Sequence, residues 1–257
     1  MCTNPPHYEP VQKLRILYQD SDLVVVDKPA GVMIHPPEDP ALHRFVGRQP
    51  TVIRMLREQL QQYVYPVHRL DSATSGVLVM ALKSEIAGKL QASFQARQVQ
   101  KSYGALVRGF TNDSGIIDSP LSIDDEGGEE QEAITHYETL FRFELPIPSG
   151  PHPTSRFSFV RVQPQTGRYH QIRRHFKRIS HPLIGDATHG DGKQNRVWRE
   201  MTEDTLLYLK AYSLSFPHPI GGEKIEFHSR WGGAWQRVFD RSGMCPVFTK
   251  EDGRNLF

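Results

Sequence analysis

The stretch HRLDSATSG, residues 68–76, carries the residues of this chain that are best suited to metal-free chemistry. It places a single acid, Asp71, after the basic pair His68-Arg69, and small hydroxyl residues and a glycine follow. A carboxylate that is ionised and oriented is a candidate nucleophile. An Asp in a turn also commonly accepts hydrogen bonds from backbone N–H groups two or three residues further on. The stretch alone therefore leaves two interpretations open, a nucleophile and a capped turn.

A basic segment, RYHQIRRHFKRIS (168–180), predicts a helix over residues 168–179. Helical spacing places four apolar side chains on one stripe, namely Tyr169, Ile172, Phe176 and Ile179. The side chains predicted to face solvent are Gln171, Arg174 and Arg178. Arg173 falls inside the stripe and faces the protein body, so it needs an acidic partner or must extend to solvent. A carboxylate paired with this guanidinium in a cleft would be kept ionised.

Two further segments carry residues that could contact a ligand. In KSYGALVRG (101–109), Lys101 and Tyr103 share one face of a predicted strand, and Tyr103 could stack on a planar group such as a nucleobase. A cross-strand aromatic contact is the alternative interpretation of this tyrosine. At the start of the basic helix, Arg168, His170 and the backbone amides could bind phosphate.

Composition and missing motifs exclude several function classes. The formal net charge is +2, and the chain has no GxGxxG, P-loop, HExxH or GxSxG motif. The two cysteines, Cys2 and Cys245, form no disulfide framework and no metal-site spacing, and the histidines are scattered, so we expect no metal. Ser72, His68 and Asp71 lie too close on one turn for a typical hydrolase triad. A glycosidase needs two acids near one cleft, whereas the pattern singles out only Asp71.

Strand patterns outnumber helical patterns and mostly follow one another directly. Strands are predicted at 14–28 (two strands joined at 20–22), 76–82, 101–109, 133–143, 156–164, 205–216 and 223–228. Helices are predicted at 51–63 and 84–97, with Thr51 and Ser84 as caps, at 168–179, and after the glycine-rich stretch 183–193. Polar or Pro-rich loops are predicted at 35–50 and 111–131. The pattern indicates an α+β fold with a large mixed, mainly antiparallel β-sheet and flanking helices.

The predicted organisation is one catalytic domain over residues 13–240. A flexible N-terminal segment, 1–12, precedes it and a C-terminal tail, 241–257, follows it. No signal peptide and no membrane span are recognised, and a cytoplasmic monomer is expected.

Five segments in order carry a family resemblance: VDKPAGVMIH (26–35), HRLDSATSGVLVMAL (68–82), KSYGALVRG (101–109), PQTGRYHQIRRHF with SHPLIGD (164–186), and AYSLSFPHP (211–219). Together they resemble the RluA-type pseudouridine synthases, over about residues 14–228. HRLD followed by two residues and TSG, with TGRxHQIRxH downstream, is the most specific part of the match. The resemblance implies the pseudouridine synthase fold with a central RNA-binding cleft.

The resemblance also implies a reaction, in which uracil is detached from its ribose and rejoined through carbon 5, without cofactor or metal. Asp71 would be the nucleophile, attacking either the base or ribose C1′. Arg69 would fill the space left by the flipped uridine. Tyr103 would stack on the flipped uracil near C5, Ile172 would pack beside it, and Arg173 would pair with Asp71. Further residues expected to support substrate binding are His68, Lys101, Arg168 and His170.

The substrate is less strongly indicated than the chemistry. The stretch DATHGDGKQNR (186–196) resembles members of the family that modify tRNA at uridine 65 of the T stem. Ribosomal RNA as the substrate and an inactive RNA-binding relative remain alternatives, although an intact Asp71, Tyr103 and Arg173 argue against inactivity. One departure from the family pattern is Lys210, where relatives commonly carry His.

Overall fold

The computed structural model describes residues 13–36, 50–123, 128–149 and 151–243. The predicted segment 1–12, most of the predicted loop at 35–50 and the part of the predicted tail beyond residue 243 lie outside this range. The described chain divides into two compact units. The first contains the described residues up to Ser102 and Lys210–Ser229, and the second contains Tyr103–Leu209 and the described residues from Arg230 onward.

Twelve strands and five helices are found in the described residues. The strands are β1 (Arg15–Gln19), β2 (Leu23–Lys28), β3 (Tyr65–Pro66), β4 (Ser75–Ala81), β5 (Gln100–Arg108), β6 (Ser114–Asp118), β7 (Leu121–Ser122), β8 (Glu130–Gln131), β9 (Ile134–Leu145), β10 (Ser155–Pro164), β11 (Leu209–Pro217) and β12 (Lys224–His228). The helices are α1 (Val52–Leu60), α2 (Ser84–Gln95), α3 (Gln171–Arg178), α4 (Gly192–Thr202) and α5 (Gly233–Ser242). The predicted α+β class with mainly antiparallel pairing is confirmed.

The first unit is a mixed sheet with β4 in its interior. β4 pairs antiparallel with β2 and β3 and parallel with β11, while β1 and β12 pair antiparallel with β2 and β11. Every residue of β4 from Gly76 onward is buried, which explains why its sequence is a continuous apolar run rather than an alternating one. Val25, Val79, Ile86, Leu90 and Phe216 belong to the core of this unit.

Helix α1 begins as predicted, since Thr51 Oγ1 accepts the backbone N–H of Arg54 at 3.4 Å. The predicted cap of α2 is wrong. Lys83 holds the N-cap position, without a side-chain cap bond, and Ser84 is the first helical residue. Glu85 in the first turn favours this helix start through the helix dipole instead.

The second unit is built on the antiparallel strand order β5-β10-β9-β6. The predicted pairing of 133–143 with 156–164 is confirmed as the β9–β10 hairpin. The predicted loop at 111–131 is partly wrong, because β6 pairs with β9 and the short strands β7 and β8 pair with each other. Only Ile117 of β6 is buried, and β7 and β8 have two residues each, so no apolar period marks these strands.

An aromatic core fills the second unit. Phe159 of β10 contacts Trp235 and Phe239 of α5, with ring centroids 5.7 and 5.4 Å apart, and Trp198 of α4 packs on Phe157 at 5.1 Å. Helix α5 was not predicted, although its buried residues have helical spacing. No helix in the described parts of the chain is long and apolar enough to cross a membrane.

Candidate active site

Asp71 lies on a tight turn that leads into the buried strand β4. The residue before it, Leu70, is buried, whereas Asp71 is half-buried and Ser72 is exposed. The backbone N–H of Thr74 donates to the carbonyl of Asp71 at 3.0 Å, and the N–H of Gly31 donates to the carbonyl of Ser72 at 2.8 Å. The turn is therefore fixed by backbone bonds, and Asp71 on it is partly accessible to solvent.

Lys28, at the end of β2, binds the backbone of this turn. Its side chain is fully buried, and Nζ donates to the carbonyls of Pro29 at 2.9 Å, Ser72 at 2.9 Å and Thr74 at 2.8 Å. Desolvation lowers the pKa of Lys28 to about 7, while the negative charge of Asp71 acts in the opposite direction. Sequence reasoning assigned no role to Lys28, and its place in VDKPAGVMIH was the available signal.

His68 is packed into the first unit beside this turn. Its ring stacks on Phe94 with centroids 4.7 Å apart, and Nε2 accepts the backbone N–H of Val79 at 3.1 Å. Desolvation, reinforced by the charge of Lys101, lowers the pKa of His68 to about 3. The ring is consequently neutral at physiological pH, and it ties the HRLD segment to β4 and α2.

The other predicted residues of the first unit are cationic. Arg69 is exposed and Lys101 is half-buried. Desolvation lowers the pKa of Lys101 to about 8, and a nearby anion would favour its charged form. Both side chains are of the type that binds RNA phosphate.

Two buried features lie where β4 runs beside β11. Gly76 has φ of 121°, and a Cβ there would come within 2.0 Å of the carbonyl oxygen of Ala211, so only glycine fits. Lys210, the departure from the family pattern, is buried with Nζ 3.7 Å from Asp27 Oδ1. The same oxygen accepts the Ser229 hydroxyl at 2.6 Å. The lysine thus occupies a buried ion pair of the first unit.

In the second unit, the predicted residues lie on β5 and around α3. Tyr103 is half-buried on β5, opposite Val162 of β10. Ile172 is buried, whereas Arg168 and His170 before the helix are half-buried. Arg168 Nε donates to the carbonyl of Glu132 at 3.0 Å.

The prediction that Arg173 faces the protein body is confirmed, since its exposed fraction is 6%. Its Nε and Nη2 donate to Asp186 Oδ2 and Oδ1 at 2.7 and 2.8 Å, a bidentate ion pair that sequence reasoning did not identify. Asp186 follows the apolar run PLIG, and its position within the SHPLIGD match was the available signal. The predicted pairing of Arg173 with Asp71 joins residues of the two units and remains a prediction.

The prediction that Gln171 and Arg174 face solvent is wrong. Gln171 is 5% exposed, and its Nε2 donates to the Ile134 carbonyl at 3.0 Å and to Thr135 Oγ1 at 2.9 Å. Arg174 donates to the carbonyl and the hydroxyl of Ser122 at 2.8 and 2.7 Å. The helical wheel placed Ile172 and Phe176 correctly on a buried stripe, whereas Tyr169, before the helix, is exposed. The wheel could not show that β9 and the segment around β7 cover other sides of α3. Arg178 is exposed, as predicted.

His170 begins α3 in the left-handed backbone region, with φ of 49°. Its Nδ1 lies 2.9 Å from Nε2 of the buried His189, and the Tyr169 ring stacks on it with centroids 3.7 Å apart. A non-glycine residue in this region is uncommon, and here the two ring contacts hold it in place.

The nine predicted site residues thus form two groups. The first unit carries His68, Arg69, Asp71 and Lys101, and the second carries Tyr103, Arg168, His170, Ile172 and Arg173. The first group offers one carboxylate on a fixed turn and two cationic side chains, Arg69 and Lys101. The second offers an aromatic ring, an apolar side chain and an oriented guanidinium. Such groups suit a nucleophilic attack on an anionic polymer that carries planar bases.

Comparison with known proteins agrees with this chemistry. The family model described as RNA pseudouridylate synthase matches residues 22–178. A Haemophilus influenzae protein named tRNA pseudouridine synthase C is 43% identical over 90% of this chain and 98% of its own length. The protein of the same name from Pectobacterium carotovorum subsp. carotovorum is 40% identical over 96% of this chain and 68% of its own length. The solved structure of human RNA Pseudouridylate Synthase Domain Containing 1 has a TM-score of 0.67 and 25% identity, covering 88% of this chain and 86% of that one.

Proposed function

Because this chain belongs to the RNA pseudouridylate synthase family and is an RNA pseudouridine synthase, we propose that its substrate is tRNA. The observation that carries the proposal is the 38–44% identity, over most of this chain, to proteins named tRNA pseudouridine synthase C. We propose uridine 65 of the T stem as the target, on the resemblance of residues 186–196 to members that modify this position. The proposed site of action is the cytoplasm.

Asp71 is the proposed nucleophile. Its backbone is fixed by the turn and by Lys28, while its carboxylate is half-buried rather than enclosed. The isomerisation breaks the bond between ribose C1′ and uracil N1 and forms a bond between C1′ and C5. C5 loses its proton and N1 gains one, so no oxidant or cofactor is consumed. Attack at C6 of the base and attack at C1′ both require the same ionised Asp71.

The remaining residues bind and hold the target. Arg69 is exposed beside the nucleophile and fills the space of the flipped uridine, which offsets part of the few kcal/mol that flipping costs. Tyr103 stacks on the uracil and Ile172 packs beside it, while Arg173 pairs with Asp71. Substrate binding is further supported, in this proposal, by His68, Lys101, Arg168 and His170. Of these, His68 supports binding as a neutral ring that shapes the turn.

The substrate proposal is tested by mapping pseudouridine in cellular RNA with and without this protein. We expect one position of the tRNA T stem to lose the modification. Loss only in ribosomal RNA would refute the tRNA proposal but leave the family activity intact. The purified protein, given a tRNA transcript with uridine 65 or with cytidine there, should form pseudouridine only in the first.

RNA binding is tested by its salt dependence. Each phosphate neutralised by Lys or Arg releases counterions, so affinity should fall steeply with salt. With three to four phosphate contacts and the slope of duplex nucleic acid, the affinity should fall about 40- to 150-fold between 50 and 200 mM salt. An affinity that stays flat over this range would contradict the proposed contacts of Lys101 and Arg168.

A further inference from the structure

We propose that Asp186 is a positioning residue, which fixes the direction in which Arg173 presents its guanidinium to the reacting centre. This inference rests on the proposed function, because it concerns how one residue of that site is held. Arg173 has one partner expected from the sequence, Asp71, and the structure supplies a second carboxylate, Asp186, within the same unit as Arg173.

The ion pair between Asp186 and Arg173 is shielded from solvent and has a fixed geometry. The exposed fractions of the two side chains are 1% and 7%, so water does not compete for either group. Nε and Nη2 of Arg173 meet the two carboxylate oxygens at 2.7 and 2.8 Å, in the parallel arrangement that fixes both planes. A single ammonium in place of the guanidinium could not be held in this way.

The carboxylate itself cannot rotate. Oδ1 of Asp186 also accepts the backbone N–H groups of Thr188 and His189, at 3.0 and 2.9 Å. Both donors belong to the turn that follows Asp186, so the carboxylate is clamped by its own backbone. Desolvation raises the pKa of Asp186, but the bonds from Arg173 and the turn outweigh it, and the pKa is lowered overall. The group is therefore ionised at physiological pH.

The turn after Asp186 is hydrogen-bonded to α4 and to the start of α3. Asn195 of α4 donates to the carbonyl of Asp186 at 2.8 Å and accepts the N–H of Gly185 at 2.8 Å. The side chain of His189 binds His170 at the start of α3, which is the helix that carries Arg173. Both ends of the ion pair are thus tied to α3, one through the backbone of the helix and the other through the histidine pair.

The consequence for chemistry follows from the shape of the guanidinium. Arg has five N–H donors in one plane. Asp186 holds Nε and one hydrogen of Nη2, so Nη1 and the other hydrogen of Nη2 point in directions set by Asp186. A catalytic carboxylate or substrate oxygen that approaches Arg173 meets N–H groups whose directions are already set. The guanidinium then does not have to reorient during the reaction.

The alternative is an ion pair that only stabilises the fold. Replacing one partner of a buried pair is destabilising in either case, so stability alone does not separate the two roles. Kinetic constants do separate them, because a structural pair has no reason to affect kcat in the fraction of protein that is folded.

The test uses Asp186→Asn in the full-length protein with a tRNA transcript, in steady-state reactions over a range of tRNA concentrations, so that kcat and KM are measured separately. The amide can still accept from the turn through one oxygen, but its NH2 group faces Arg173 Nε and the bidentate contact is lost. We expect kcat to fall at least 30-fold, with KM for tRNA changed less than threefold. Asp113→Asn is the matched control, since Asp113 pairs with Arg142 at the surface and is 94% exposed. Its rate should stay within twofold of wild type.

A double-mutant cycle with Arg173→Lys shows whether Asp186 acts through Arg173. Arg173→Lys keeps a charge but loses the bidentate geometry, so it should also lower kcat strongly. The double variant should be no slower than the slower single variant. Losses that multiply in the double variant, or a wild-type kcat in a folded Asp186→Asn, overturn the inference.

Folding does not leave the inference untested. If Asp186→Asn fails to fold, Asp186→Glu takes its place, because it keeps the charge but moves the carboxylate by one methylene. A lowered kcat with an unchanged KM in that variant supports the inference, and a wild-type kcat overturns it. An inactive wild-type protein on tRNA would contradict the proposed function instead. An active wild type with unaffected variants contradicts the role of Asp186 alone.

Discussion

Replacing Thr135 with valine should destabilise the protein by about 2 to 5 kcal/mol, although valine has nearly the same shape. Thr135 is fully buried on β9, and its Oγ1 binds Gln171 Nε2 and His175 Nδ1, each at 2.9 Å. His175 Nε2 faces the carbonyl of Ser119 at 3.0 Å, so this nitrogen carries the proton and Nδ1 must accept from Thr135. The hydroxyl thus fastens two residues of α3 to the sheet.

The magnitude follows from counting the groups left without partners. A buried donor or acceptor that loses its partner costs about 1 to 3 kcal/mol. Two such groups, on Gln171 and His175, give about 2 to 6 kcal/mol, and the easier burial of a methyl group reduces this slightly. Against a typical total of about 5 to 15 kcal/mol, the loss is large.

The assay is urea unfolding at pH 8, followed by tryptophan fluorescence. Thr188→Val, at an exposed side chain in the same unit, is the control and should change the free energy of unfolding by less than about 0.5 kcal/mol. At temperatures where Thr135→Val is folded, kcat should also fall, because α3 carries Ile172 and Arg173. A destabilisation below about 1 kcal/mol would refute the assignment of both hydrogen bonds to this hydroxyl.

Further predictions concern the pH dependence of stability and two glycine substitutions. The pKa of His68 is about 3 in the folded protein and about 6.5 in the unfolded chain. As the pH falls, the unfolded chain therefore takes up a proton before the folded protein does. The free energy of unfolding should fall as the pH drops from 6.5 towards 3. His68→Gln keeps an acceptor for Val79 N–H and should flatten this dependence in unfolding curves. An unchanged slope would contradict a neutral His68 ring in the folded protein. Gly76→Ala should destabilise by more than about 3 kcal/mol or yield insoluble protein, because its Cβ meets Ala211. Gly88→Ala in α2, whose added Cβ would meet no atom within 4 Å beyond its chain neighbours and its own helix backbone, should instead stabilise by up to about 1 kcal/mol in thermal melts. Equal effects of the two substitutions would refute the contact of Gly76 with Ala211.

Much of the fold was predictable because its signals are local. The apolar run of β4 and the Thr51 cap of α1 depend on residues within a few positions of each other. The strands β7 and β8 were missed because two-residue strands are defined by their backbone partners, not by side-chain pattern. The cap at Ser84 was assigned one residue too far along the chain, a typical error at helix ends.

In the candidate site too, local features were predictable, whereas contacts between distant segments were not. The helical wheel correctly turned Arg173 inward, since that direction depends on the apolar stripe of its own helix. The identity of a partner depends on distant segments, and Asp186 therefore emerged only with the structure. Lys28 was hidden for the same reason, because its three carbonyl partners include two that lie more than forty residues away.

The proposed nucleophile is tested most directly by Asp71→Asn, measured as pseudouridine formed in a tRNA transcript together with binding of that tRNA. The substitution keeps the size of the side chain and its place on the turn that Lys28 fastens, but it removes the negative charge. We predict that no pseudouridine forms over hours at excess enzyme, while the dissociation constant for tRNA stays within about threefold of wild type. Turnover that persists in the folded variant, at a rate near that of the Asp113→Asn control, would contradict the assignment of Asp71 as the nucleophile.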